Sequence, residues 1–541
     1  MNTYLSFIKI FFLLSFIAID ISVKAQSPAI QWTRSLGGSN DEFPGDLQLT
    51  KDGGYIITGA TKSTDGDVTG YHYGASTYDI WVVKLDSIGK ISWERAFGGT
   101  GEERYYGKNI RQTTDGGYIF SGTTWSNNGD ILGNHGGADI WVVKLDNLGN
   151  ISWQKCYGGP GRETSAGIQQ TIDGGYIIAG TADYVGGDVT AVKGGYDYWV
   201  IKLNDTGKIV WQKCYGGTGI ERASGVIQTA DRGYVVTGSS QSTDGDVTGL
   251  HGLNDDIWLV KLNDTGKLMW QRCYGSLNLD WCNDICEAPD GNFVMTGSVG
   301  GGKTGDVTDS FGSNDLWILK VNKEGGAIIW QKTYGSHSAD EGASIKNTKD
   351  GGYIVSGYAG WGDGTVIGYH DSGGYGNTDA WVIKLNDSGV IKWQKCLGGP
   401  YTENSACTQQ LADSSYIVLA YNTGNGGEVT GSHSYGYGDL WLVKLGRDSV
   451  STVPGYVNTT TLNGIKVYPN FTNGQVKIEL PGNIDNVRLS LFNSLGEVIP
   501  FKREKSIAGY NIQLQNLSSG SYFLRIESNG GSATYKIVYK Q

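Results

Sequence analysis

The sequence predicts an all-β protein. A seven-bladed β-propeller of four-stranded antiparallel blades, its last blade closed by an N-terminal strand, is followed by a small Ig-like β-sandwich. Two observations carry the propeller. Fourteen of the seventeen tryptophans fall on a sevenfold grid, with successive members 58 to 64 residues apart. One set is Trp32, Trp93, Trp153, Trp211, Trp270, Trp330 and Trp393; the other is Trp81, Trp141, Trp199, Trp258, Trp317, Trp381 and Trp441. A period near 60 built from short alternating runs belongs to a propeller or solenoid rather than to a single-core enzyme. The second observation is the unequal ends of the repeat. The first Trp strand, near Ile30 to Leu36, precedes any complete blade, and the last unit stops after Trp441–Leu445 without a fourth strand. Pairing the two would close the ring and remove two exposed edges.

One unit, residues 153–211, shows how each element arises. Trp153–Tyr157 alternates apolar and polar residues and stops at Gly158-Gly159. Gly167–Thr171 and Tyr176–Gly180 flank Asp173-Gly174-Gly175, a hairpin signal because glycine accepts the positive φ of tight turns. Asp197–Leu203 is the next strand, and Asn204-Asp-Thr-Gly207 turns it into the following Trp strand. Most of the 85 glycines are therefore turn residues.

The segments outside the repeat have their own signatures. Residues 1–25 read as a secretory signal peptide: an apolar run from Ile10 to Ile19, too short for a comfortable membrane span, ends at Val23-Lys24-Ala25. The propeller spans 26–446, a Ser/Thr/Pro/Gly linker 447–462, and a strand-rich domain 463–541 whose alternating runs are Gln475 to Leu480, Val487 to Asn493, Tyr510 to Leu514 and Tyr522 to Glu527. Net charge is −11; the last domain carries +4, leaving −15 upstream. Such an acidic repeat is a poor partner for phosphate backbones, so no nucleic acid is expected. Of seven cysteines, Cys156, Cys214, Cys273 and Cys396 occupy one position in different repeats, too far apart to bridge. Cys282, Cys286 and Cys407 leave room for one local bond.

Two resemblances follow from these residues. Asn204-Asp-Thr-Gly-Lys-Ile-Val-Trp211 resembles the tryptophan-docking repeat of quinoprotein-type propellers, and the whole unit is similar to propeller repeats of Bacteroidetes surface proteins. A quinoprotein dehydrogenase would need a vicinal cysteine pair, which the chain lacks, and that family usually has eight blades. The last 79 residues resemble the type A sorting domain of the type IX secretion system. Its sorting signal maps onto Tyr468, Pro469, Asn470, Gly474, Gly496, Gly520, Tyr522 and Lys536, with Phe471 standing where the family usually has proline. That resemblance implies export across the outer membrane, removal of the domain, contact with the secretion machinery, and a secreted or cell-surface location.

Three polar sets recur. An acid lies ten residues after each first-set Trp (Glu42, Glu103, Glu163, Glu221, Asp280, Asp340, Glu403). An Asp precedes each second-set Trp by two, and a Lys follows it by three. Residues repeated in every blade most simply satisfy the backbone or the neighbouring blade. His72, His135, His251, His370 and His433 share one loop position, with Lys193 and Phe311 in its place in blades three and five. One histidine per blade has no zinc spacing, and Asp65-Gly66-Asp67 lacks the downstream acid of a calcium loop. No catalytic residue, metal or cofactor is expected.

Variation in length concentrates between the second and third strands, so one face is fixed and the other free to carry function. The candidate ligand face is Trp125, Trp281, Trp361, Tyr369, Tyr375 and Tyr435, aromatics able to stack on sugars or pack on a protein. Blades two, five and six depart furthest from the repeat, with Trp281, Cys282 and Cys286 replacing connection residues. The expectation is a monomeric, non-catalytic binding or adhesion scaffold, its partner a glycan or surface protein. The alternative is an extracellular carbohydrate-active enzyme using channel-mouth carboxylates, which would need an acid pair about 5 to 9.5 Å apart.

Overall fold

The structure is a computed structural model. It describes residues 27–448 except 73–76, 105–108, 371–376 and 434–435, and residues 465–540 except 470, 473, 482–486, 494–497, 507, 515–516, 519 and 529–530. The expected signal peptide and most of the linker therefore lie outside the described residues. No helix among the described residues is long and apolar enough to cross a membrane.

Residues 26–448 form one compact unit of seven antiparallel sheets. In blade three, Glu163–Gln170 is the inner strand, Tyr176–Ala182 and Asp197–Leu203 follow, and Ile209–Tyr215 is the outer strand. The other blades repeat this order. Blade two divides its inner strand into Glu103–Arg104 and Ile110–Gln112, the segment between them lying outside the described residues. Ring closure is as the unequal ends require: Ile30–Leu36 pairs antiparallel with Asp439–Leu445 as the outer strand of blade seven.

The two tryptophan sets do different work. Those of the third strands are fully buried. In six blades the indole Nε1 donates to the residue after the outer-strand Trp, as Trp199 does to Gln212 at 2.8 Å and Trp81 to Glu94 at 2.8 Å. Blade seven departs, because its outer strand comes from the other end of the chain. There the equivalent residue is Thr33, too short to reach, and Trp441 Nε1 is buried without a partner among the described residues. Outer-strand tryptophans instead reach across to the next blade. Trp153 meets a turn glycine, Gly207, at φ +73°, where a β-carbon would lie 3.0 Å from the indole. Each also packs on the aromatic that opens a second strand, as Trp93 does on Tyr118 at 5.7 Å.

The hydrophobic clusters straddle the blades. One joins Ile140 and Val142 of blade two to Ile178 and Trp199 of blade three, and another joins Trp81 and Val83 of blade one to Leu419 and Leu440 of blade seven. A blade has two apolar faces and no interior of its own, so its burial comes from its neighbours. All seven cysteines are free, including Cys282, Cys286 and Cys407, between which a bond had been left open.

The carboxy-terminal unit packs two sheets around one core that includes Val476, Ile478, Ile512, Leu491, Leu524 and Ile537. Four expected strands are present as Gln475–Glu479, Arg488–Phe492, Gly509–Gln513 and Gly520–Ser528. Five more were not anticipated, among them the charged Lys502–Ser506 and the C-terminal Gly531–Tyr539.

Candidate functional site

The recurring acids do not line the channel mouth. All seven are buried where the blade-to-blade connection enters the inner strand. Each accepts from the backbone N–H four residues earlier, as Glu163 does from Gly159 at 2.9 Å and Asp280 from Ser276 at 2.6 Å. In blades one, two and four a second-strand hydroxyl adds a bond, for example Thr61 to Glu42 at 2.6 Å. In Glu103, Glu163, Asp280 and Glu403 burial outweighs these bonds and pushes the carboxyl up to about 7, and in Asp340 to about 6. The lysine set is committed as well. Lys84, Lys144, Lys202, Lys261, Lys320 and Lys384 pair with the hairpin aspartates, as Lys84 does with Asp52 at 2.8 Å.

The histidine position forms an interblade ring. Each histidine holds the Asp of its own third strand, as His251 Nδ1 does Asp256 at 2.7 Å. Nε2 then turns to an acid of the next blade: His72 to Asp130 at 3.6 Å, His251 to Asp306 at 3.4 Å, and His433 to Asp67 at 3.6 Å. Lys193 does the same toward Asp246. In blade five the slot holds Phe311, and the facing residue of blade six is Thr365, whose Oγ1 accepts from Gly335 N–H at 2.8 Å. Cation and acid are lost together, which marks the pairing as a blade-to-blade fastener.

Third-strand entries pair with the next connection, as Tyr196 does with Ile220 and Ala138 with Arg162, so the variable loops and connections share one face. Trp361 and Tyr369 lie together there, ring centroids 6.1 Å apart, with His337 edge-on to Trp361 at 5.4 Å. Trp125 stands elsewhere on this face, under the Arg162 guanidinium at 5.6 Å. Trp281 is half-buried and, with Cys282 and Cys286, lies in the inner strand Asp280–Glu287. Those three were expected in a connection; the alternation of the strand runs straight through them instead. Tyr375 and Tyr435 fall outside the described residues.

Sequence reasoning missed the cavity on this face. Between blades three and four a hollow of about 320 Å³ is lined by Arg162, Thr164, Thr181, Tyr196 and Arg222, with Ser165 and Ala223 behind them. The adjoining seam, between blades four and five, holds a hollow of about 550 Å³ with Asn254, Asn278 and Asn314 in its wall. A signal was present. The residue after the recurring acid is Phe43, Arg104, Thr164, Arg222, Trp281, Glu341 or Asn404, an inner-strand slot that holds six residue types in seven blades.

Comparison with known proteins settles the tail. Residues 466–540 match the family described as secretion system C-terminal sorting domain. The chain ends in a type IX sorting domain. This secreted or outer-surface protein is thus a client of the type IX machinery. The domain's physical reasons are visible: Thr472 Oγ1 accepts from Gly474 and Gln475 N–H at 3.0 Å, fixing the turn before Gln475–Glu479. Tyr522 is buried against Tyr539, its hydroxyl on Ser518 O at 2.8 Å. Tyr468 pairs through its backbone with Lys477, and Gly520 with Tyr539. Asn470 and Gly496 lie outside the described residues, and Lys536 is placed by its backbone opposite Phe523.

The rest of the chain is similar to propellers at low identity. A quinohemoprotein alcohol dehydrogenase from Comamonas testosteroni shares 11% identity, with 83% of this chain and 80% of that one covered and a TM-score of 0.41. The β-propeller domain of the trilobed protease from Pyrococcus furiosus, described as having an open velcro topology, shares 11% over 70% and 91%, at 0.36. An ulvan lyase of a polysaccharide lyase family shares 10% over 72% and 93%, at 0.40. No curated protein sequence matches the chain.

Proposed function

We propose that this protein is a non-catalytic binding or adhesion scaffold, delivered to the cell exterior by its sorting domain and engaging a glycan or surface protein through the variable-loop face. One observation carries the reading. Every residue type that repeats sevenfold is consumed in holding loops and neighbouring blades, whereas side chains that differ from blade to blade gather on one face. The enzymatic alternative must draw its acids from a set that is fully buried and bonded to backbone. Propellers and other scaffolds place recognition on loops held by a rigid frame.

The test is glycan-array and surface-protein pull-down binding by the full-length protein, set against two double variants, Trp361→Ala with Tyr369→Ala and Trp125→Ala with Trp281→Ala. At least one should lose most binding at unchanged melting temperature. Binding indifferent to both would move the site off this face. Turnover in a hydrolase and lyase screen, abolished by Glu221→Gln or Asp280→Asn, would replace the scaffold reading with the enzymatic one.

A further inference from the structure

The hollow between blades three and four differs from every other part of an acidic ring: two guanidinium groups converge on it. Arg162 contacts the Trp125 ring and has no carboxylate partner among the described residues. For Arg222 the nearest carboxylate is Asp255, with Nη1 at 3.9 Å from Oδ1, beyond hydrogen-bond range, and its side chain is 53% exposed. Arg104, one blade earlier, shows the contrast, since its Nε is already on Glu102 at 2.6 Å. Arg111 is likewise tied to buried Asp46 at 2.5 Å. Two unspent forks lining one hollow repel unless an anion joins them, and such forks match the paired oxygens of carboxylate or sulfate.

The remaining wall is suited to a sugar. Thr164, Thr181 and Tyr196 present hydroxyls, and at about 320 Å³ the hollow is at the small end of ligand pockets, room for one or two sugar rings. Three of the equivalent seams are filled by the protein itself. Phe43 stacks on Tyr421 between blades seven and one, Glu341 binds Asn283 at 2.6 Å between five and six, and Asn404 takes Thr378 at 2.5 Å near blade seven. The hollow of the next seam has amide side chains in its wall and no guanidinium.

We infer that the blade three–four hollow is the binding site for an acidic saccharide, a sugar bearing carboxylate or sulfate, whose anionic group is clamped by Arg162 and Arg222. This rests on the scaffold reading and names its ligand class. The side chains of an otherwise negative surface repel such a polymer, so recognition is confined to this one hollow.

The experiment measures binding of the full-length protein to tetragalacturonate, to a chondroitin sulfate tetrasaccharide, and to neutral cellotetraose. At least one acidic probe should bind, weaken with added salt, and lose tenfold or more affinity in Arg162→Gln and in Arg222→Gln, with melting temperatures unchanged. Arg222→Lys should recover part of the loss, since charge without the fork remains. Which acidic probe wins separates carboxylate from sulfate recognition. Equal binding of cellotetraose, acidic binding indifferent to both arginines, or no binding of either acidic probe would overturn the site. In each of those cases glycan-array or pull-down binding lost with the loop aromatics would leave the scaffold reading standing, so the two fail separately.

Discussion

Two seams of the same ring use the same backbone slots for opposite ends. Between blades seven and one, Phe43 stacks on Tyr421 at 5.0 Å, meets Tyr78 edge-on at 5.7 Å, and Lys62 caps Tyr78 at 3.8 Å. Between blades three and four, the slots of Phe43, Tyr421 and Tyr78 hold Arg222, Thr181 and Asp255, and the seam stays open. The first borders the blade that is assembled from both ends of the ring, and aromatic stacking there adds about 0.5 to 1.5 kcal/mol per pair. The second joins two blades that are each one continuous stretch of chain, and its side chains face solvent. Closure and the proposed recognition are thus separated around the ring.

The comparison can be broken most severely at the closing strand. Deleting residues 27–36 removes the outer strand of blade seven and uncovers Leu419 and Leu442 of the cluster it seals. Loss of Trp32 alone should cost about 3 kcal/mol or more, and the shortened chain should aggregate or melt non-cooperatively by circular dichroism. A smaller breach is Phe43→Ala. Because Phe43 is 37% exposed, we expect a loss of about 1 to 2 kcal/mol in urea unfolding, less than a buried phenylalanine would cost. Arg222→Phe is its mirror image: it should close the open seam and abolish acidic-saccharide binding while stability holds or rises.

Acidity acts on all seams together. Burial raises Glu103, Glu163, Asp280 and Glu403 to about 7 and Asp340 to about 6, and hydrogen bonds to Asp379 and Asp439 raise His370 and His433, so all of these bind protons more tightly when folded. The unfolded chain releases those protons first, so their contribution is complete below pH 4 and fades as pH rises through 6 to 8. The hairpin aspartates run the other way. Burial opposes it, but hydrogen bonds from Lys84 and Thr50 hold Asp52, and from Thr113 and Lys144 hold Asp115, down at about 2, stability present above pH 4 and lost toward pH 2. Melting temperature should therefore peak between about pH 4 and 6 and decline through neutrality. A profile rising from pH 5 to 8 would contradict this. The smallest change concerns closure again: Thr33→Gln supplies the missing acceptor for Trp441 Nε1 and should add about 1 kcal/mol.

Repetition made the architecture readable and hid the site. Trp32 and Trp441 could be matched as the two halves of blade seven because every other blade spells out the full unit. Cys282 and Trp281 were misplaced because an irregular composition looked like a loop, while the strand's pairing with Phe293–Gly300 tolerated it. Arg162 and Arg222 were overlooked because loop length pointed to blades two, five and six. Across the hollow Thr164 and Ser165 face Arg222 and Ala223, which lie 58 positions on, the repeat itself, so their meeting carries no extra signal. In the tail, Lys502–Ser506 escaped notice as an exposed edge strand without alternation.

The pairing of Thr33 with Val443 spans almost the entire ring. A strand made first must wait, unpaired, until the one made last has emerged, and contacts this distant along the chain form slowly. The sorting domain follows that last strand in order of synthesis. Any molecule that displays its export address therefore already contains every segment needed to complete the circle, and a prematurely terminated ring leaves no address to be read.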